Sequence, residues 1–164
     1  MNDLDKVISK IRELKKKQQT ILIAIDGFGG SGKSSLAKSI KEKFSDTAIV
    51  EMDDFYSPKL KGADYERVLN QIIKPLKEGK TADYQIYDWQ SNRLILRKSI
   101  LPRNIVIIEG VYSMKEPLLE NYDIKIWVEY SPELGFKRGL ERDKNQYGVD
   151  TTDKWLKDWM PRHK

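Results

Sequence analysis

An α/β fold, a doubly wound parallel sheet flanked by helices, is predicted by three observations on this sequence. Apolar strand-like runs alternate with amphipathic helical ones along the chain, the pattern that builds parallel sheets joined by crossover helices. One run, Ile105 to Ile108, is apolar without a break, as a strand covered on both faces must be. A glycine-rich stretch, Gly27-Phe28-Gly29-Gly30-Ser31-Gly32-Lys33-Ser34-Ser35, directly follows another, Ile21 to Ile25. It lies where such folds pass from strand to helix.

The elements follow in order. Residues 1–19 hold an amphipathic helix, capped by Asn2 or Asp3 and running to about Lys17, with Leu4, Val7, Ile8, Ile11 and Leu14 at helical spacing. Thr20 to Ile25 is the first strand. After the glycine turn, a helix runs from about Lys33 to Phe44, with Leu36, Ala37 and Ile40 facing inward. Thr47 to Met52 is the second strand and delivers Asp53-Asp54 at its carboxyl end. Tyr65 to Lys77 has helical periodicity, Pro75 is expected to kink or end it, and Gly79 stops it. Arg93 to Leu96 and Ser99 to Leu101 are short strands of an excursion. Ile105 to Ile108 then ends in Glu109-Gly110, followed by a short helix from Pro117 to Asn121 and a strand from Ile124 to Val128. A helix from Pro132 to about Arg142 and a tail with Trp155, Leu156 and Trp159 at helical spacing complete the chain. Without repeats, linkers or low-complexity stretches, residues 1–164 are expected to form one domain.

Composition excludes several chemistries. The chain has no cysteine, so thiol catalysis, disulfides and thiolate metal sites are out, and a reducing cytoplasmic setting is expected. Its one histidine, His163, is the penultimate residue, which leaves acid–base work to carboxylates. No apolar run reaches the roughly 18 residues of a membrane span, and no signal-peptide pattern opens the chain. The net charge of +5 is partly the solvated face of the first helix, so neither a nucleic acid nor a membrane is expected as a partner.

The chemistry begins at Gly27. The run Gly27 to Ser34 spells G-x-x-x-x-G-K-S after a strand, a phosphate-binding loop whose backbone N–H groups turn inward on phosphate oxygens. Lys33 reaches the outer phosphates, Ser34 ligates Mg²⁺, and the following helix adds its positive end. Residues Gly27 to Ser35 are thus the expected ATP-binding segment. The same letters satisfy the dinucleotide fingerprint G-x-G-x-x-G with Asp53 downstream. That fingerprint does not require Lys-Ser after its last glycine, and it leaves the second strand-end acid, Glu109, without a role.

Three further positions carry weight. Asp53 is placed to orient an acceptor hydroxyl and take its proton; the plain alternative is a strand-end aspartate capping the next turn. Glu109 is placed to hold Mg²⁺ with Ser34, directly or through water, or is an ordinary polar strand end. Arg138 and Arg142 lie four apart on one helix face, placed to clamp phosphates as charge develops, or simply to be solvated.

Taken together these residues resemble the uridine kinase and phosphoribulokinase group of P-loop kinases. The matches are Asp26-Gly27 leading into Gly32-Lys33-Ser34-Ser35, Asp53-x-Phe55-Tyr56, Gly79-Lys80-Thr81 followed by Tyr87-Asp88-Trp89, Ile108-Glu109-Gly110-Val111, and Arg138 through Arg142-Asp143. The resemblance implies a P-loop kinase sheet, with Asp53 as base on the acceptor hydroxyl, Tyr56, Tyr87 and Asp88 lining the acceptor site, and Asp64 as a sugar-hydroxyl partner. It implies that Arg138 and Arg142 belong to a lid over ATP, here residues 134–150. The chain departs from the pattern twice. Where nucleoside kinases of the group place a histidine, it reads Gln90-Ser91-Asn92-Arg93. It also stops at Lys164, so the expected fold lacks the family's last strand and helix; natural truncation, fragment and inactive copy all stay open.

The expectation is ATP- and Mg-dependent phosphoryl transfer to a hydroxyl of a small molecule, foremost a nucleoside. Another small acceptor (a sugar phosphate, pantothenate or glycerate) or an ATP-binding module without kinase activity is the alternative. The choice of ATP over GTP and the oligomeric state, including a homo-oligomer, are left open.

Overall fold

The computed structural model describes residues 3–102 and 105–129. The expected helix at 132–142, the lid at 134–150, Arg138, Arg142 and the tryptophan-bearing tail lie outside the described residues. Helix α1 (Asp3–Lys15) precedes strand β1 (Ile21–Gly27), helix α2 (Lys33–Lys43) and strand β2 (Thr47–Glu51). A 3₁₀ turn (Met52–Phe55) leads into the short strands β3 (Tyr56–Ser57) and β4 (Gly62–Ala63). Next come a helical run, 65–77, and the strands β5 (Ala82–Asp88), β6 (Arg93–Ile100), β7 (Ile105–Glu109) and β8 (Ile124–Val128).

The main sheet has four parallel strands in the order β2-β7-β1-β8. Its strands carry one core on each face, and period-two alternation decides which residue goes where. Ile21, Ile23 and Ile25 of β1 and Ile105 and Ile107 of β7 face Ile8 and Ile11 of α1 and Ala37 and Ile40 of α2. Leu22, Ala24, Val106 and Ile108 face the other way, onto Phe55, Val68, Ile72, Ile73 and Leu76. Helices on both faces make the sheet doubly wound, as the alternation of elements predicts.

Three expectations need correction. Residues 82–88, not anticipated as a strand, form β5, which pairs antiparallel with one continuous β6 over Ala82↔Ile100 to Asp88↔Arg93, with a bulge between Ile86 and Tyr87. The excursion is therefore a single twisted hairpin rather than two short strands. Pro75 does not end its helix, which continues to Lys77. The run widens to a π-turn at Leu69–Ile73, where Lys74 N–H reaches the Leu69 carbonyl. Pro75 thus falls in the first turn of α4 (Lys74–Lys77), the place that tolerates a missing N–H. The helix expected from Pro117 to Asn121 contracts to a 3₁₀ turn at Leu119–Asn121.

Candidate active site

The carboxyl ends of β1, β2 and β7 hold most of the chemistry. At the end of β1, Gly27 adopts φ +150°, and a Cβ there would come within 2.4 Å of the Val128 carbonyl oxygen, so no side chain fits. Gly32 sits in the left-handed region (φ 101°) as the N-cap of α2, with no side chain bonded to the cap. The first-turn N–H groups of α2 thus meet the loop without a side-chain cap. Lys33 is buried, and its Nζ donates to the Gly27 carbonyl at 3.0 Å and the Phe28 carbonyl at 2.7 Å. The ammonium ties the loop into the curled shape that its glycines permit.

Glu109 ends β7 on the α2 side of the sheet, the face of Ile105 and Ile107, and accepts from Ser34 Oγ at 2.8 Å. It is only 5% exposed. Burial pushes its carboxyl above the ordinary range, partly offset by the Ser34 hydroxyl and Lys33, while the charges of Glu51 and Asp53 push it further. Glu51 stands in register with Glu109 on the neighbouring strand. It is raised first by burial and then by Asp54 and Asp53. Asp54 is raised by burial too, with Lys98 Nζ opposing from 3.7 Å. Glu51 escaped sequence reading, although its place at the last position of an apolar strand matches that of Glu109.

These oxygens suit a hard divalent ion. Ser34 Oγ and the Glu109 carboxylate lie side by side, 2.8 Å apart, and would both serve such an ion as oxygen donors. Among the described residues no group of three His, Cys, Asp or Glu is arranged to hold a metal by itself. Magnesium keeps several waters and takes one or two carboxylates beside substrate phosphates, so the donor set fits it.

On the other side of the Asp53 turn the residues are aromatic. Tyr56 stacks on Trp89 at 4.5 Å and 28°, and its ring meets Tyr87 edge-on at 5.3 Å. Tyr87 Oη donates to Asn92 Oδ1 at 2.8 Å. Trp89 remains half exposed, at 50%. Asp88 accepts from Ser91 Oγ at 2.6 Å and Ser91 N–H at 3.1 Å, bonds that lower its carboxyl. Asp64 caps α3 (Tyr65–Val68) by accepting from the Arg67 N–H at 3.1 Å. Tyr56 and Tyr87 are thus brought together, whereas the Asp64 and Asp88 carboxylates serve their own turns.

Asp26, quoted from the sequence only as the residue before Gly27, gains its partners in three dimensions. Asp26 is 5% exposed and accepts from the N–H groups of Gly27 (2.7 Å), Tyr112 (2.9 Å) and Met114 (3.1 Å). It binds the root of the phosphate loop to the segment that follows Glu109. Gly110, at φ +143°, passes so close that a Cβ would lie 2.7 Å from Met52 Cβ.

Comparison with known proteins agrees with this layout. The model of the phosphoribulokinase / uridine kinase family matches residues 54–163. A uridine kinase of Clostridium botulinum (strain Okra / Type B1) is 31% identical over 150 residues, 80% of this chain and 72% of that protein. One from Oceanobacillus iheyensis is 25% identical over 170 residues, covering 90% and 80%. Among solved structures, a candidate fructose transport system kinase from Silicibacter sp. TM1040 superposes with a TM-score of 0.79 at 21% identity, covering 99% of this chain and 93% of that one. D-glycerate 3-kinase from Cryptococcus neoformans gives 0.60 at 14%, covering 92% and 81%; likenesses at these identities show the fold. By the span of the family model and the identity of its relatives, the chain belongs to the phosphoribulokinase / uridine kinase family.

Proposed function

We propose that this chain is an ATP- and Mg-dependent kinase that phosphorylates a hydroxyl of a small molecule, with a nucleoside as the foremost acceptor. The observation that carries the reading is the convergence of the phosphate loop, Ser34–Glu109 and the Asp53 turn at one end of one sheet. Lys33 and the α2 N-terminus hold the phosphates. Ser34 and Glu109 would hold magnesium, which would supply positive charge against the phosphate oxygens. Asp53 takes the acceptor's hydroxyl proton as that oxygen bonds to the γ-phosphorus, and ADP leaves as the bridging bond breaks. Arg138 and Arg142 are assigned to phosphate charge, after the family pattern. Tyr56, Tyr87 and Trp89 offer flat apolar surface for a ring, and Asp64 and Asp88 are assigned to the same acceptor after the family pattern. The uridine kinases among the relatives favour a nucleoside over other acceptors.

ADP release is the test, with uridine, cytidine, fructose, glycerate and pantothenate offered in turn with Mg-ATP. One acceptor should raise turnover above background hydrolysis, and no stimulation by any hydroxyl compound contradicts the reading. Asp53→Asn should keep ATP affinity and lose about a hundredfold to ten-thousandfold in kcat. Equal loss of ATP binding would make Asp53 structural instead.

A further inference from the structure

Asp53 sits on a very short support. The 3₁₀ turn that carries it spans only Met52–Phe55, and such turns have poor internal hydrogen-bond geometry. The hairpin packs on it through the Phe55–Tyr84 stack, and a second set of restraints, mostly polar at the backbone, comes from α3. Arg67 Nη2 donates to the Asp54 carbonyl at 2.9 Å, and the guanidinium carbon lies 4.8 Å from the centre of the Phe55 ring. The Asp64 N–H donates to the Phe55 carbonyl at 2.7 Å, while its carboxylate receives the Arg67 N–H. All of these contacts fall within two residues of Asp53.

Arg67 is an expensive choice for mere packing. It is partly buried, burial pulls its guanidinium below the ordinary range against the pull of Asp64 and Asp54, and Nε is buried without an acceptor among the described residues. An apolar side chain of similar volume fills such space at lower cost. What an apolar side chain lacks is a donor for the Asp54 carbonyl, which belongs to the Asp54–Phe55 peptide, one residue beyond Asp53. Residues that break a local rule without a gain in stability tend to serve a site.

We infer that Arg67 is a positioning residue for Asp53, fixing the Asp54–Phe55 peptide so that the neighbouring Asp53 carboxylate meets the acceptor hydroxyl. The inference rests on the proposed role of Asp53 as base. Arg67 itself need touch neither substrate.

A double-mutant cycle with uridine and Mg-ATP as probe substrates tests it. Arg67→Met keeps the volume and removes the donors; kcat should fall about a hundredfold, the scale of a misplacement near 1 Å, with KM for ATP unchanged to within about twofold. Arg67→Lys restores one donor and should recover part of the loss. Added to Asp53→Asn, Arg67→Met should cost nothing more. Losses that multiply overturn the inference, because Arg67 would then act apart from Asp53. Full activity in Arg67→Met beside an inactive Asp53→Asn overturns it and leaves the kinase reading standing; an active Asp53→Asn removes the base itself. Hydrogen exchange needs no acceptor: the amides of Asp54, Phe55 and Tyr56 should exchange about tenfold faster in Arg67→Met, with α2 unchanged. Unaltered protection there, or unfolding of both Arg67 variants, overturns the inference.

Discussion

Glu109 is held where its charge is least stable. Its folded carboxyl lies above the usual value of 4.5, because burial outweighs the Ser34 hydroxyl. A raised acid favours folding while protonated, so its contribution is complete below that usual value and is lost as pH climbs through the folded one. Glu109→Gln should therefore raise Tm at pH 7 in the absence of ligand, on the order of 2–4 °C, and the gain should shrink as pH falls toward 4.5. The same change should abolish phosphoryl transfer. Melting curves at the two pH values check the first half, and ADP release the second. The positions of Lys33, Ser34, Glu109 and Asp53 in the fold were legible in the sequence because each lies where a strand gives way to a turn or a helix begins. Asp26 and Glu51 were less visible. Two of the three partners of Asp26 lie more than eighty residues away, and Glu51 acquires meaning only through its register with Glu109.

At the scale of elements, the phosphate loop and the β7 exit are coupled by backbone donors with one shared acceptor. Asp26→Ala would strand the N–H groups of Gly27, Tyr112 and Met114. At about 1–3 kcal/mol for each buried unpaired group, the loss should reach about 3 kcal/mol or more in urea unfolding. A value under about 1 kcal/mol would mean that water replaces the carboxylate. Gly110→Ala should cost about 2–4 kcal/mol, since a positive φ and a 2.7 Å approach to Met52 Cβ act together. Strands β1, β2, β7 and β8 were readable because burial and period agree in them. The hairpin was harder. In β5 the apolar positions Ala82, Tyr84 and Ile86 do alternate, but the bulge at Ile86/Tyr87 breaks the period where polar residues begin. Pro75 misled for a related reason: a π-turn shifts the hydrogen-bond pattern by one residue, and periodicity does not register it.

For the whole molecule, the order β2-β7-β1-β8 puts the loop after β1 beside the ends of β7 and β2. Here consecutive strands β1 and β2 cease to be neighbours, and the crevice outside the carboxyl ends at such a point is the usual position for a ligand in such sheets. Each face depends on the central strands. Ile107 is fully buried, and Ile107→Ala should destabilise by about 2–5 kcal/mol without touching the crevice. No described helix is long and apolar enough to cross a membrane. The central claim is that this crevice grips the phosphates of a magnesium nucleotide through the α2 N-terminus and Lys33. Calorimetric titration of the folded protein with Mg-ATP, beside Lys33→Ala, tests it most directly. The account predicts saturable heat for the native chain and at least about tenfold weaker binding for the variant, since losing a buried charge-assisted contact costs about 1.5–3 kcal/mol. No heat with the native chain, or equal affinity in the two proteins, would contradict it.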